Sequence, residues 1–502
     1  MIKNCKKALS LVLALTVMIC CFSPALAQEA TPTDAGEYVT SDTQPFRISL
    51  TVNGDTASER GFTWFTKADT DSLVVINEAP DAVIEYNDVF EWEGNYCHKA
   101  KVKGLEGGKE YTYTVGSAQV RSNEGKFRTD DGDSELNFIV VADVQASSDE
   151  NFRRGAETVE ASFSVMPDAE FIANLGDFTN DSTNEEWDYY AKNFDPISLK
   201  TSLVPIAGNH DGLGVWHWFE NMFNLDDSES VQNLNGVNYS FDYGNAHFAV
   251  INTNDVLSVS LAQLKWLRND MNSTDKDWKI VFAHKSPYTL GKDGKWPDAL
   301  YLQKSLTKVC DECGVDLVMS GHDHQYLRTK PLKANKLNDN GTTYILSGTA
   351  GTKRYQIRSF LENSFTDVDK IAAMTVQRDG YANYFNGTDF ESTKDTNVGG
   401  CFNCLSIKDG TLTLNSYILS DELKDENGGR IITNIDTYTV TKETGKNIAT
   451  FSGDNTTSAA EFYLGVVPSF CALAVYTFTG WLPRFLSIVP DIIRVYIEED
   501  TF

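Results

Sequence analysis

Basic residues are scarce in this 502-residue chain. Lysine and arginine number 43 against 71 aspartates and glutamates, which gives a formal net charge of -28. Nucleic-acid backbones are bound by clustered lysine and arginine, so the composition argues against nucleic acid as a structural partner. The negative net charge favours solubility, but it does not attract an anionic substrate to the protein. A local cation must therefore attract any such substrate.

Cysteine is also rare, with nine in the chain and six after residue 27. Four of these form two CxxC pairs, Cys310-x-x-Cys313 and Cys401-x-x-Cys404. The pairs leave three interpretations open: a zinc site, disulfides, or buried packing thiols. The pairs are far apart and have no zinc-ribbon context, so we favour packing thiols. Aromatic residues are not lacking, at 12%, and the chain is long enough for two or three folded domains.

The amino-terminal end has the pattern of a signal peptide. Three lysines precede an apolar run over residues 8–22, and Ala25-Leu26-Ala27 fits a small-x-small cleavage site. The run is short for a membrane span. We therefore expect residues 1–27 to be removed and the mature protein to be extracytoplasmic, either secreted or at the cell surface.

The carboxyl-terminal end carries a second apolar segment. Residues 462–483 contain no charge and are long enough to span a membrane, although Gly465, Pro468 and Gly480 weaken a continuous helix. Residues 446–460 are interpreted as a linker before this tail. Residues 461–502 are thus either a membrane anchor or an apolar flap that covers the fold or a partner.

The first folded region is predicted to be an all-β sandwich over residues 44–130, after a linker at 28–43. Phe46, Ile48, Leu50 and Val52 alternate with polar residues, as in a half-buried strand. Further short strand patterns follow at 62–64, 72–76, 82–86, 98–102 and 111–115. Turn residues separate them, and regular short strands of this kind favour a β-sandwich.

The second region, residues 131–445, has the pattern of an α/β domain. Strongly apolar strands at 137–142, 171–175, 203–207, 279–283 and 316–320 alternate with longer segments, of which 258–271 and 298–310 are predicted helices. Strands this apolar are buried on both faces, so other layers must cover them. Residues 352–400 are polar and are interpreted as a partly irregular insertion, after which strand patterns resume at 403–414 and 431–440.

Each apolar strand of this region is followed by a residue of a type that binds metal ions. The residues are Asp143, Asp177, Asn209, His284, and the pair His322 and His324. Sites in open α/β sheets lie at the carboxyl ends of the strands, so we expect these side chains to converge. Any one of them could be an N-cap, a turn residue or a core histidine, but the set predicts a metal site.

The motifs resemble those of the calcineurin-like metallophosphoesterases, and more closely those of bacterial relatives of the purple acid phosphatases. They read A-D-V-Q (142–145), G-D-F-T-N (176–180), G-N-H-D (208–211), F-A-H-K-S-P-Y (282–288) and G-H-D-H (321–324). Residues 104–129 also resemble the fibronectin-like amino-terminal domain of these phosphatases. The resemblance implies a four-layer metallophosphoesterase sandwich of two mixed β-sheets flanked by helices, preceded by a fibronectin-III-like β-sandwich.

The resemblance also implies a dinuclear site of Fe, Mn or Zn. Asp177 matches the bridging carboxylate, Asp143 and His324 match ligands of one metal, and Asn209, His284 and His322 match ligands of the other. Such a site produces a hydroxide that attacks a phosphate ester. His210 would contact the ester oxygen or protonate the leaving group, and Asp211 would orient the His210 ring.

Two positions depart from the purple acid phosphatase pattern. Gln145 stands where these enzymes carry glycine, and Asn180 stands where they carry the tyrosine that binds ferric iron. We therefore expect no purple colour. The amide oxygen of either residue could complete the coordination of the first metal, or the residue could support the ligands without binding the metal. The histidines that plant enzymes carry after the fourth motif are absent. Lys285, Lys292 or Lys295 is the candidate replacement for binding phosphate.

Three functions remain open at this point. We favour an exported phosphomonoesterase. The alternatives are a phosphodiesterase or nucleotidase that uses the same metals, and a surface-binding module with little catalysis.

Overall fold

The structure is a computed structural model that describes residues 39–212, 217–226, 228, 230–231, 238–254, 261–291, 294, 297–354, 366–378, 381–385, 390–393 and 398–442. The predicted signal peptide, most of the first linker, the second linker and the apolar tail lie outside these residues. Within these ranges, no helix is long and apolar enough to cross a membrane.

The amino-terminal part of the described chain is all-β. Its strands are β1 (Phe46–Val52), β2 (Arg60–Thr66), β3 (Leu73–Ile76), β4 (Val83–Tyr86), β5 (Phe90–Trp92), β6 (Asn95–Lys103), β7 (Glu110–Gly116) and β8 (Gly125–Arg128). Strands β3, β7 and β8 form one sheet, and β1, β2, β6, β4 and β5 belong to another. Leu50, Phe62, Trp64 and Tyr113 fill the core between them. Six of these strands were predicted, while β5 and β8 were missed.

The first sheet of the α/β region is mixed. Its parallel centre consists of β9 (Leu136–Val141), β10 (Phe171–Asn174) and β11 (Ser202–Pro205). The antiparallel strands β23 (Gly399–Lys408), β24 (Thr411–Lys424) and β25 (Arg430–Thr441) extend it beyond β9. On its other side, β11 pairs in parallel with β1, at Leu203 and Thr51. The sheet therefore continues into the amino-terminal part, a pairing that local sequence patterns did not predict. The domain boundary near residue 130 stays a prediction.

The second sheet is also mixed. Parallel strands β13 (Ala246–Ile251), β14 (Trp278–Ala283), β15 (Leu317–Ser320) and β19 (Thr343–Ser347) form its centre. Antiparallel strands complete it, with β12 (Tyr239–Tyr243) at one edge and β16 (Tyr326–Thr329), β20 (Ile371–Arg378), β21 (Tyr381–Phe385) and β22 (Phe390–Thr393) at the other. A small hairpin, β17 (Leu332–Lys333) and β18 (Lys336–Leu337), lies between β16 and β19 in the chain. Strands β20 to β22 lie within residues 352–400, the segment predicted to be a partly irregular insertion.

The two sheets share one apolar core, since aromatic rings of both are in contact. The rings of Phe138 and Phe171 in the first sheet each meet Phe248 in the second edge-to-face, with ring centroids 5.5 Å apart. Each aromatic side chain buried in this way contributes about 2 kcal/mol. This shared core explains why the strand faces that meet between the two sheets are apolar.

Helices cover the outer faces. They are α1 (Asp149–Val165), α2 (Asn184–Ser198), α3 (Trp218–Met222), α4 (Leu261–Ser273), α5 (Pro297–Lys304) and α6 (Leu306–Cys313). A capping box of Thr183 and Glu186 starts α2. Side chains of α4 to α6 form a core with the outer face of the second sheet, and that core includes Cys310 and Cys313. This four-layer α/β arrangement confirms the predicted fold class.

The described cysteines occupy apolar surroundings. Cys97, Cys310, Cys313, Cys401 and Cys404 are buried free thiols. This finding fits the interpretation of the CxxC pairs as packing residues. Cys471 lies outside the described residues.

Candidate metal centre

The residues predicted from the strand ends lie at one edge of the paired sheets. Asp143, Asp177 and Asn209 follow β9, β10 and β11 of the first sheet, and His284 directly follows β14 of the second. His322 and His324 follow β15. Both sheets therefore supply ligands to the same cleft, because the carboxyl ends of their parallel strands face it.

The backbone of this edge is held in an unusual conformation. Asp143, Asp177 and His322 have φ angles of 53°, 54° and 73°, and Gln145 has 35°. Residues other than glycine rarely adopt such left-handed values, and their clustering marks functional sites. The local turns direct these side chains inward at a conformational cost that the surrounding fold must offset.

Two glycines allow the ligand loops to approach each other. A Cβ atom on Gly208 would lie 2.1 Å from the Asp177 nitrogen and 2.2 Å from its carboxylate. A Cβ on Gly321 would lie 2.7 Å from the Asp143 carboxylate. All three distances are shorter than a Cβ atom tolerates, so glycine is required at the two positions.

One group of ligand atoms surrounds His284. Its Nε2 lies 3.1 Å from Asn209 Oδ1 and 3.3 Å from Asp177 Oδ2. The donor atoms of Asp177, His284 and His322 all lie within 4.8 Å of one another. Two ligands that each sit about 2.1 Å from one cation are separated by roughly 3 Å, so these spacings fit a shared ion.

A second group shares Asp177 with the first. The donor atoms of Asp143, Asp177 and His324 also lie within 4.8 Å of one another, with His324 Nε2 3.6 Å from Asp143 Oδ1. The backbone nitrogen of His322 donates to both oxygens of Asp143, at 2.9 Å each. Asp177 is thus the residue that the two groups have in common.

The ring orientations of the histidines suit metal binding. His284 Nδ1 donates to the carbonyl of Leu175 at 2.8 Å, and His324 Nδ1 donates to the carbonyl of Lys353. A carbonyl oxygen only accepts, so Nδ1 carries the proton on both rings. Nε2 is then the atom that offers a lone pair to the cleft, which is the usual arrangement of a metal-binding histidine.

The charges of the buried carboxylates also call for a cation. Burial alone would raise the pKa of Asp177, but the neighbouring rings of His284 and His210 outweigh it and hold that pKa well below its usual range. Burial, together with the charge of Asp177, raises the pKa of Asp143 well above its ordinary value. Two carboxylates buried this closely ionise together only when positive charge is added, as a divalent ion would do.

Gln145 and Asn180, the two amides named as candidate ligands, differ in their surroundings. Gln145 is 4% exposed, and its Oε1 has no hydrogen-bond partner among the described residues. A buried amide oxygen in this condition fits a place next to a cation. Asn180 Oδ1 instead accepts from Lys353 Nζ at 3.3 Å, and Asn180 Nδ2 donates to Asp181 at 2.8 Å. The structure thus favours Gln145 over Asn180 as the further ligand.

The structure corrects the role expected for Asp211. Its carboxylate accepts from the backbone nitrogens of Asp177, Phe178 and Gly208, at 2.9, 2.7 and 2.6 Å. The ring of His210 is oriented by the carbonyl of Asn180, to which its Nδ1 donates. Asp211 therefore fixes the ligand loops rather than the His210 ring. Sequence adjacency suggested the wrong partner, because the two side chains point in different directions.

A sixth loop, residues 349–354, borders the site and was missed at the sequence level. Thr349 Oγ1 donates to the carbonyl of Asp143 at 2.6 Å, and the carbonyl of Lys353 orients His324. Arg354 anchors the loop through Asp421 at 2.7 Å and the carbonyl of Gly399 at 3.0 Å. The signal was available, since the apolar strand T-Y-I-L-S (343–347) precedes this loop as other apolar strands precede the candidate ligands.

Of the three lysines proposed to bind phosphate, Lys285 alone lies in the described part of the chain, and its contacts do not favour that role; the proposals for Lys292 and Lys295 stay predictions. Lys285 Nζ pairs with Asp298 at 3.1 Å, and its side chain is largely buried. Lys292 and Lys295 lie outside the described residues. His98 and His247 lie apart from the ligands and bond to side chains of their own surroundings, Thr66 and Ser72 for His98, Asp242 and Asp270 for His247.

Comparisons with known proteins agree with this fold. Residues 136–326 match the family model described as Calcineurin-like phosphoesterase. The chain therefore carries a metallophosphoesterase domain of the calcineurin-like class. Residues 45–129 match the model described as Purple acid Phosphatase, N-terminal domain, so the predicted resemblance to purple acid phosphatases is confirmed.

Similar curated proteins include purple acid phosphatases of Arabidopsis thaliana. "Probable inactive purple acid phosphatase 1" is 26% identical over 304 residues, which are 51% of this chain and 49% of that protein. Purple acid phosphatase 15 is 22% identical over 321 residues, 55% of this chain and 59% of that protein. The chain thus spans about half the length of the curated relatives it matches.

Two solved structures share the fold. A purple acid phosphatase from yellow lupin seeds has a TM-score of 0.58 and 18% identity, and the match covers 80% of this chain and 75% of that one. PhoD has a TM-score of 0.54 and 11% identity, covering 89% of this chain and 100% of that one. At these identities the likeness concerns the fold alone.

Proposed function

We propose that this protein is an exported, metal-dependent phosphomonoesterase. The observation that carries the proposal is the position of Asp177 in both groups of donor atoms, which suits a carboxylate shared by two cations. Asp143 and His324 would hold one cation, and Asn209, His284 and His322 the other. Gln145 would complete the ligand set of the cation held by Asp143 and His324. Mixed oxygen and imidazole donors suit Fe, Mn or Zn.

When bound, two such cations supply Lewis acidity and a water of lowered pKa to the hydrolysis of a phosphate ester. The contribution of His210 follows from its own hydrogen bond. Because its Nδ1 proton is donated to the Asn180 carbonyl, Nε2 is the atom that faces a substrate. We assign Nε2 of the protonated ring to donate to the ester oxygen and to release its proton to the leaving group.

Export is proposed from the signal-peptide pattern of residues 1–27. A contact of residues 461–502 with a membrane or cell surface is proposed from their apolar sequence. The candidate site is built from described residues alone, and both of these segments lie outside the described part of the chain. The catalytic proposal therefore does not depend on where the protein resides.

Turnover of a chromogenic monoester and a chromogenic diester tests the proposal. The purified protein is loaded separately with Fe, Mn or Zn, and His210→Ala is assayed beside the wild type. We expect hydrolysis of the monoester, and a loss of about 100-fold in kcat for the variant. Hydrolysis of the diester alone would favour the phosphodiesterase alternative. No turnover with any metal would leave the surface-binding module as the better interpretation.

A further inference from the structure

His210 is held by the chain segment that begins at Asp177. The backbone nitrogen of His210 donates to Oδ1 of Asp177 at 2.9 Å, and its ring Nδ1 donates to the carbonyl of Asn180. The segment continues to the start of α2 at Asn184. The position of the proposed proton donor therefore depends on how this segment is folded.

Two hydroxyl groups of the same segment converge on the backbone carbonyl of His210. Ser182 Oγ donates to this carbonyl at 2.7 Å, and Thr179 Oγ1 lies 3.3 Å from it. Thr179 Oγ1 also accepts from the backbone nitrogen of Ser182 at 3.2 Å. Both side chains are buried. His210 is thus bonded through its backbone nitrogen, its ring and its carbonyl.

The two hydroxyl groups have different roles, because each carries a single proton. Ser182 makes the shorter bond to the His210 carbonyl. The Thr179 proton is shared between Ser182 Oγ, at 3.1 Å, and the same carbonyl. Thr179 is also fixed from outside the segment, since it forms a parallel β-bridge with Ala146. Thr179 therefore supports the bond that Ser182 makes.

The backbone of Ser182 is strained. Its φ is 52°, a left-handed value that serine rarely adopts and that glycine adopts freely. A turn alone would therefore favour glycine at this position. Serine costs conformational free energy here, and the feature that glycine lacks is the hydroxyl group bonded to His210.

We propose that Ser182, supported by Thr179, is a positioning residue that holds His210 where its ring protonates the leaving group. The inference rests on the proposed function and concerns the same site. Misplacing a reacting group by about 1 Å can lower a rate by roughly 100-fold, so a bond that fixes His210 affects kcat. The two hydroxyl groups bond to His210 and to each other, so metal content and KM should not depend on them.

The test compares four variants of the full metal-loaded protein. Ser182→Gly removes the hydroxyl group and relieves the strain. Thr179→Val removes the supporting hydroxyl group, and Thr179→Ser keeps it. Ala334→Gly is the matched control, because exposed Ala334 has a φ of 51° between β17 and β18 and has no hydroxyl group to lose. The measured quantities are kcat and KM for p-nitrophenyl phosphate, metal content, Tm, and crystal structures of the wild type and Ser182→Gly.

Ser182→Gly is expected to lower kcat by about 10-fold while KM and metal content stay within about 2-fold of the wild type. Its Tm should stay within about 3 °C, since the relief of strain offsets the lost hydrogen bond. Thr179→Val should lower kcat by about 3-fold, because its contact with the carbonyl is longer. Thr179→Ser and Ala334→Gly should keep the wild-type kcat.

A folded Ser182→Gly variant with the wild-type kcat would overturn the inference, and so would an equal loss of kcat in Ala334→Gly. If Ser182→Gly does not fold, a lower kcat in Thr179→Val than in Thr179→Ser supports the inference, and equal values refute it. A wild type that hydrolyses no ester refutes the proposed function. The crystal structures then still decide the role of Ser182: a displaced His210 ring in Ser182→Gly supports it, and an unmoved ring refutes it.

Discussion

Because Arg354 anchors residues 349–354, we predict that its loss weakens the binding of one of the two cations. Arg354 holds this loop to Asp421 and to the carbonyl of Gly399, at 2.7 and 3.0 Å, and it also donates to the carbonyl of Gly351 within the loop at 3.2 Å. The same loop presents the Lys353 carbonyl that fixes the ring of His324. Arg354→Gln should therefore loosen His324 while leaving the ligands of the other cation in place.

The expected magnitude follows from the role of such supporting bonds. Loss of a group that orients a metal-binding histidine typically lowers metal affinity by about 10- to 100-fold, or roughly 1.4 to 2.7 kcal/mol. Calorimetric titration of the metal-free protein with Mn²⁺ should thus show one weakened site and one unchanged site in Arg354→Gln.

Arg430→Gln provides the matched control. Arg430 also bonds Asp421, at 3.1 Å, and its side chain is 17% exposed against 12% for Arg354. It binds Glu157 and the carbonyl of Ser420 rather than the 349–354 loop. Equal weakening in the two variants, or equal weakening of both metal sites in Arg354→Gln, would refute the positioning role.

Two further predictions concern sterics and pH. Gly208→Ala should prevent uptake of both cations, measured as metal per chain, because the new methyl group would displace the Asp177 carboxylate; normal uptake would contradict the close approach. Burial would lower the pKa of His247, but its bonds to Asp242 and Asp270 raise that pKa to about 9. Because the folded pKa exceeds the unfolded value, this stabilisation is complete below about pH 6.5 and is lost as pH rises through 9. The free energy of unfolding in urea should fall by up to about 3 kcal/mol over that window in the wild type and much less in His247→Gln, and parallel curves would refute the assignment.

The strand ends were the part of the site that sequence patterns could predict. An apolar run followed by Asp143, Asp177 or His284 implies a buried strand with a ligand at its carboxyl end, and parallel strands bring such ends together. The convergence of these side chains follows from topology. It does not require knowledge of any loop.

The hydrogen-bond partners of side chains in the loops could not be predicted from strand patterns. Asp211 bonds backbone nitrogens rather than the adjacent His210, and Lys353 reaches Asn180 from 173 positions away in the chain. These contacts depend on the paths of loops between distant strands. The pairing of β1 with β11 is similar, since no local pattern specifies which edge strands of two regions will meet.

The central claim is that Asp177 is shared by two cations, and the metal content of Asp177→Asn tests it most directly. We expect elemental analysis to find two metals per wild-type chain after loading and dialysis, and the variant to lose affinity for both. Asparagine preserves the side-chain shape but removes the charge that both sites would use. A wild type that retains a single metal, or a variant that loses one metal and keeps the other, would contradict the claim.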